Sequence, residues 1–150
     1  MRAAVREVAD AVGRGILAGA MGTAAMTLSS SIEAKLSGRG SSSTPAEAVS
    51  EATGVEVTDE SEPRVNTLAH WGYGVGWGAL RGLMGLLPAS EPLPTIGHFG
   101  AVWGAEQVLL PTLGVGKPTW RYGATATATD LLHHAVYAGA TSAALAWIEA

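Results

Sequence analysis

The chain has no cysteine and few charged residues, and these two shortages exclude several kinds of protein. Without cysteine, its 150 residues form no disulfide, no thiolate nucleophile and no thiolate-ligated metal or iron–sulfur site. Only 15% of the residues are Asp, Glu, Lys or Arg, whereas soluble domains usually carry about 25%. No run of Lys or Arg is present, so we predict that nucleic acid is not a partner.

Familiar enzyme motifs are missing as well. The sequence contains no G-x-S-x-G, no Walker loop, no dinucleotide-binding fingerprint and no H-E-x-x-H. Its glycines recur at four-residue steps, which is the spacing of helix packing and not of a phosphate-binding loop. We therefore predict no enzymatic activity and assign no catalytic residue.

Small and apolar residues predominate in the chain. Hydrophobic residues make up 47% of the chain, 20 residues are glycine, and mean hydropathy is positive. Charged residues are sparse in four windows near residues 12–32, 65–87, 95–113 and 124–148. Each window has roughly the 20 residues needed to cross a hydrocarbon core of about 30 Å. We predict an all-α fold, a single-domain transmembrane bundle of four spans surrounded by lipid.

Glycine spacing predicts how these helices pack. In lipid, small residues four apart let two backbones approach closely. The predicted small-residue ridges are Gly15, Gly19 and Thr23 in the first span, Gly74, Gly78 and Gly82 in the second, and Gly100 and Gly104 in the third.

The polar stretch at 37–64 holds most of the acidic residues and is predicted to be the main extramembrane loop. Thr44, Pro45 and Glu47 form a capping-box start with proline at the first helical position, and Gly54 is a plausible stop. We therefore predict a short amphipathic helix at 45–53. The later acidic residues lack the spacing of a calcium-binding loop, which favours a solvated face.

The basic residues before the first span predict its orientation. Arg2, Arg6 and Arg14 favour a cytoplasmic N-terminus by the positive-inside rule, and an even number of spans places both termini there. We expect a multi-pass protein of the bacterial inner (plasma) membrane. A cleavable signal peptide is disfavoured by Glu7 and Asp10.

A polar stripe in the last span is the most informative feature of the sequence. Its members share one helical face through their spacing, and they are Asp130, His134, Tyr137 and Thr141. His133 lies beside this stripe. An earlier segment places Asn66, His70 and Tyr73 at the same spacing, which indicates a weak internal repeat. These side chains are predicted to face the bundle interior, away from lipid.

Helix rise predicts how these polar residues lie in depth. His70 and His134 come out level, roughly 8 to 10 Å from the surface that carries the longer loops, and Asn66 and Asp130 lie one turn above them. In the opposite half, His98 accompanies Arg81 and Glu106, which have the geometry for an ion pair. The spacing therefore predicts two interior polar clusters.

Three interpretations of this interior remain open. In the first, the polar side chains only tie helices together, as in a structural or assembly subunit. In the second, they bind or pass a proton, an ion or a small solute, which needs an assembly of several copies or a membrane-complex partner. In the third, His70 and His134 ligate haem b, or a metal ion with the help of His98 or His133.

Several short segments resemble the YagU-like family of uncharacterised bacterial inner-membrane proteins. They are GILAGAMGTAAMT near the start, T-P-A-E at 44–47, LPTLGVGKP at 110–118 and LLHHAVYAG at 131–139. The resemblance implies a four-span inner-membrane topology. It implies no activity, because that family has no agreed biochemical role, and no functional residue is carried over from it.

Overall fold

The computed structural model describes residues 1–40 and 42–150, and within these ranges every regular element is helical. The five α-helices are α1 (Arg2–Ser37), α2 (Thr44–Thr53), α3 (Glu62–Met84), α4 (Leu93–Thr112) and α5 (Ala124–Ile148), and a short 3₁₀ helix spans Thr119–Tyr122. The predicted all-α class is confirmed. The short helix predicted at 45–53 is α2, whereas the 3₁₀ helix lies in what the sequence suggested was a plain loop.

Proline and glycine set several helix ends. Pro45, Pro63 and Pro94 lie in the first turns of α2, α3 and α4, where a fixed φ favours the helix and no backbone N–H is lost. Gly38 and Gly54 follow α1 and α2 with φ of 69°, a left-handed conformation that glycine adopts without strain. The chain can therefore turn sharply after these two helices.

The four long helices alternate in direction, and α1 packs along both α3 and α5. Its Gly15 lies against Gly78 and Gly82, whereas its later Gly22 lies against Tyr137 and Thr141 of α5. Helix α4 packs mainly against α5, with fewer contacts to α3. The loops that carry α2 and the 3₁₀ helix share one end of the bundle, here called the loop end. The α3–α4 connection and both termini lie at the other end.

The first helix extends well beyond the predicted window. It begins at Arg2 and ends at Ser37, so it continues past both limits of the predicted span at 12–32. Residues 1–10 are all exposed, because α3 and α5 end near Ala11 and Arg14 and cannot cover them. Residues 2–10 are therefore a projecting part of the same helix.

Backbone contact between α1 and α3 confirms the glycine ridges predicted for these helices. A Cβ atom added at Gly78 would lie 2.3 Å from Gly19 Cα, and one added at Gly19 would lie 2.7 Å from Gly78 Cα. The ridge predicted for α4 is wrong, since a Cβ at Gly100 or Gly104 would meet nothing within 4 Å. Helix α4 instead buries the face that carries Pro94, His98, Val102 and Gln107.

The interior consists mainly of small and polar side chains, and large apolar side chains lie outside. Among the described residues, the buried hydrophobic ones larger than alanine are Val102, Tyr137 and Leu145. Exposed ones occur on all four long helices and include Leu17, Leu28, Leu68, Leu80, Ile96, Val108, Leu132 and Trp147. Of the described helices, α1 alone has the length and apolar composition to qualify as a membrane span, and 28% of its most apolar window is buried.

Candidate functional site

A buried histidine between two carboxylates forms the centre of the candidate site. The side chain of His134 on α5 is 4% exposed. Its Nε2 lies 2.7 Å from Oε2 of Glu106 on α4, and its Nδ1 lies 3.2 Å from Oδ1 of Asp130, one turn earlier on α5. We call Glu106, Asp130 and His134 the carboxylate–histidine cluster.

Hydrogen bonding orients the imidazole ring. His134 Nδ1 lies 2.9 Å from the backbone carbonyl oxygen of Asp130 as well as close to the carboxylate of that residue. Both partners are acceptors, so Nδ1 carries the hydrogen. Nε2 is therefore the ring nitrogen directed at Glu106, and its 2.7 Å contact with the carboxylate oxygen needs one proton between the two atoms, carried by Nε2 or by the carboxyl group.

Three further side chains hold Asp130 in place. Its Oδ2 accepts hydrogen bonds from Trp103 Nε1 at 2.7 Å, Thr119 Oγ1 at 2.8 Å and Gln107 Nε2 at 3.4 Å. Gln107 Oε1 in turn accepts from the backbone N–H of Thr119 at 2.7 Å. The 3₁₀ helix is thereby attached over the carboxylate. Sequence reasoning missed all three residues, although Trp103 and Gln107 lie within one turn of Glu106.

The cluster is open toward the surroundings on its carboxylate side. Side-chain exposure rises from 4% at His134 to 19% at Asp130 and 27% at Glu106. One donor atom from each residue can be chosen so that all three atoms lie within 4.8 Å of one another. Within the described part of the chain, neither carboxylate forms an ion pair with Lys or Arg. The cluster therefore has the donors and the negative charge to hold a cation.

A second polar cluster lies at the opposite end, and its membership differs from the prediction. Arg81 is 3% exposed and forms an ion pair with Glu91 of the α3–α4 connection. Arg81 Nε also donates to Ser142 Oγ at 3.0 Å. The same Ser142 oxygen accepts a hydrogen bond from Thr95 Oγ1 at 2.8 Å.

The predicted ion pair between Arg81 and Glu106 is therefore wrong. Arg81 is level with Thr95, and Glu106 is 11 residues farther along α4, about 16 Å along the helix axis at 1.5 Å per residue. Glu106 lies instead in the half of the bundle that contains His134.

The interior role predicted for Asn66 and Tyr73 is also wrong. The Asn66 side chain contacts the start of α2, where its Oδ1 accepts from the Ala46 N–H at 3.1 Å and its Nδ2 donates to the Ser42 carbonyl at 2.9 Å. Tyr73 is 39% exposed. Asn66 and Tyr73 lie outside the interior because α2 and α1 pack on other faces of α3. The internal repeat carries no information about that packing.

The histidines do not fit a bis-histidine haem site. His70 is half-buried, and its Nε2 lies 3.0 Å from Thr27 Oγ1 of α1. His134 directs its Nε2 to Glu106 on α4. The two nitrogens that would bind iron are thus engaged by different helices, and a haem between them would have to displace both contacts.

The remaining predicted residues face the interior. His98 is fully buried, its Nε2 lies 3.1 Å from the Trp77 carbonyl, and its ring centroid is 5.4 Å from that of Tyr137. The Tyr137 hydroxyl donates to the Gly74 carbonyl at 2.6 Å. His133 faces α1, with Nδ1 2.9 Å from Ser29 Oγ and Nε2 3.8 Å from Glu33. It is therefore separate from the carboxylate–histidine cluster.

Comparison with protein-family models, with curated proteins and with solved structures found no match for this chain.

Proposed function

We propose that this protein is a four-span integral membrane protein that binds a cation at the carboxylate–histidine cluster. Its inside-out distribution of side chains supports a lipid environment. Buried positions include Thr23, Arg81, His98, His134 and Thr141, whereas large apolar side chains are exposed on every long helix. A water-soluble bundle gains its stability from the opposite arrangement.

Dimensions support the same proposal. Helices α3, α4 and α5 have 23, 20 and 25 residues, or about 35, 30 and 38 Å at 1.5 Å per residue, enough to cross a core of about 30 Å. The accessible surface is 9109 Å² for 15.2 kDa. A water-soluble monomer of this mass exposes about 7,100 Å². The bundle therefore exposes more surface than a water-soluble protein of its size, and lipid would cover this surface.

The observation that carries the cation proposal is the pairing of two carboxylates with one imidazole. Asp130 has three hydrogen-bond donors besides His134, whereas His134 Nε2 is the side-chain partner of Glu106. With one proton between His134 and Glu106, the cluster carries one net negative charge. Such a charge costs about 2.5 to 3.5 kcal/mol at the centre of a membrane helix and less toward its end, and a bound cation would remove much of this cost.

The location follows from the sequence features already given. The Arg residues at the start of α1 favour a cytoplasmic end for both termini. The resemblance to YagU-like proteins supports an inner-membrane protein with four spans. On this topology, the cluster faces the side opposite the termini, because it lies toward the loop end.

A second candidate function is purely structural, and the cross-helix hydrogen bonds favour it. Tyr137 joins α5 to α3, His70 joins α3 to α1, and His133 joins α5 to α1. Each such bond contributes about 0.6 kcal/mol on average within a membrane. A protein of this kind would serve as an assembly subunit in a homo-oligomer or a larger membrane complex.

Single-cysteine labelling tests the four-span topology directly, because the chain has no cysteine of its own. We expect Ala3→Cys and Ala89→Cys to react with a membrane-impermeant maleimide from one side of sealed vesicles. Ser50→Cys and Arg121→Cys should react from the other side. Labelling of all four positions from the same side would contradict the proposal.

Ligand-dependent stability tests the cation site. A cation that binds the folded protein stabilises it by about 2.7 kcal/mol when present at 100 times its Kd. We expect at least one alkali, alkaline-earth or transition-metal cation to raise the unfolding temperature of the detergent-purified protein. Glu106→Gln should remove this rise, and Glu33→Gln should keep it, because Glu33 contacts His133 instead. Equal rises in both variants would contradict a site at Glu106.

A further inference from the structure

We infer that the cation is a divalent transition-metal ion, bound by Glu106, Asp130 and His134. The inference rests on the proposed cation-binding function and names the chemical class of the ligand. It differs from the bis-histidine site suggested by the sequence, since it takes a single histidine and two carboxylates.

The donor set selects this class of ion. An imidazole nitrogen is a good ligand for zinc, copper, iron and nickel, and carboxylates also suit manganese. Calcium takes six to eight oxygen ligands, and magnesium keeps several waters in an octahedral oxygen shell. The cluster offers two carboxylates and one directed ring nitrogen, which is a poor match to either oxygen shell.

Distances within the cluster fit a common ion. In a tetrahedral shell, bonds of about 2.0 to 2.2 Å place neighbouring ligand atoms about 3.3 to 3.6 Å apart. His134 Nε2 and Glu106 Oε2 are 2.7 Å apart, and one donor atom from each of the three residues can be chosen so that all three lie within 4.8 Å of one another. To bind one ion at Nε2, Glu106 and His134 would separate slightly and the Asp130 carboxylate, which now contacts Nδ1, would turn toward the ion.

The surroundings of the ligands are already organised for this role. Histidines that bind metal usually donate their other ring N–H to a carboxylate or a carbonyl, which fixes the orientation of the ring. His134 Nδ1 does so through the backbone carbonyl of Asp130. Trp103 and Thr119 fix the Asp130 carboxylate in the same way. The ring and one carboxylate are thus held before any ion arrives.

Charge and access also agree with a divalent ion. A metal ion would displace the proton between His134 Nε2 and Glu106. His134 would then be neutral and the two carboxylates would carry two negative charges, so one divalent cation leaves the cluster neutral inside the bundle. Three protein ligands leave a coordination position for water, as in open zinc sites. Glu106 is 27% exposed, so the cluster is not sealed on this side. An ion held in this way can exchange with the surroundings.

Metal titration of the full chain in detergent tests the inference. We would titrate Zn²⁺, Mn²⁺, Mg²⁺ and Na⁺ into metal-free protein by isothermal calorimetry. We expect one Zn²⁺ or Mn²⁺ per chain, with at least tenfold weaker binding in Glu106→Gln and in His134→Gln. The matched controls Glu33→Gln and His133→Gln should bind like the wild type, because they alter the neighbouring carboxylate–histidine contact.

X-ray absorption of the zinc-loaded wild type keeps the test independent of variant folding. A first shell of nitrogen and oxygen with a single imidazole is expected, and two or more imidazoles would overturn the inference. Binding of Mg²⁺ or Na⁺ alone, abolished by Glu106→Gln, would overturn the transition-metal inference and leave the proposed function standing. If neither these ions nor any other cation binds or stabilises the wild type, both fail.

Discussion

The contact between α1 and α3 leads to a stability prediction that needs no knowledge of function. We consider Gly78→Ala, which adds one methyl group where the two backbones meet. The new Cβ would lie 2.3 Å from Gly19 Cα and 2.5 Å from the Gly15 carbonyl oxygen. Ordinary contact begins at about 3.4 Å, so the helices must separate by about 1 Å. Backbone atoms offer no side chain that can rotate away.

The expected magnitude combines two effects of opposite sign. Overpacking of a close-packed contact usually costs about 1 to 3 kcal/mol. Replacing glycine by alanine within a helix gains up to about 1 kcal/mol from helix propensity. The control Gly76→Ala lies on the same helix, where a Cβ meets nothing within 4 Å. Propensity cancels between the two variants, so Gly78→Ala should be less stable than Gly76→Ala by about 1 to 3 kcal/mol.

Reversible unfolding in mixed detergent micelles, followed by helical circular dichroism, measures this difference. Gly100→Ala on α4 is a second control and should behave like Gly76→Ala, since its Cβ also meets open space. Equal free energies of unfolding for Gly78→Ala and both controls would show that α1 and α3 are not in backbone contact. The arrangement of the bundle would then be refuted, and with it the placement of both clusters.

Three further predictions concern the polar interior. Tyr137→Phe removes the hydrogen bond to the Gly74 carbonyl and should lower the free energy of unfolding by about 1 kcal/mol in the same assay; no loss would contradict that bond. Glu91→Gln leaves the buried Arg81 without its carboxylate and should cost about 1 to 2 kcal/mol, a value reduced because Glu91 is 55% exposed. An unchanged free energy of unfolding would contradict the ion pair between Arg81 and Glu91. Metal affinity should fall as the pH is lowered, because protons compete for the ligand atoms of Glu106 and His134. Calorimetry at two pH values measures this, and a pH-independent affinity would contradict direct ligation.

Local patterns in the sequence predicted the helices and the packing faces of α1 and α3 well. Pro45 and Gly54 marked α2 to within one residue, since proline and glycine act through their own backbone angles. Glycine at four-residue steps in α1 and α3 predicted which faces meet. The same spacing failed at Gly100 and Gly104, because small residues permit a close approach but do not choose which face of a helix is covered.

The candidate site was predictable only in part. The spacing of Asp130 and His134 places them on one face within a single helix, and the structure joins them through His134 Nδ1. The partner of His134 came from another helix, and the prediction assigned Glu106 to the wrong half. Helix ends did not cause this error, because the predicted and observed ends of α4 at the loop end differ by one residue, or about 1.5 Å. The error lay in pairing Glu106 with Arg81, since spacing within one helix does not show which side chain of another helix lies beside it.

By itself, the sequence determined that this chain is helical, poor in charge and able to place a histidine one turn after an aspartate. These properties depend on residues close together in the chain, through helix geometry and composition. The tertiary structure alone decided that Glu106 meets His134, that Arg81 meets Glu91 and that Thr119 covers Asp130. Such pairings depend on the register between helices, which is a property of the whole packed bundle.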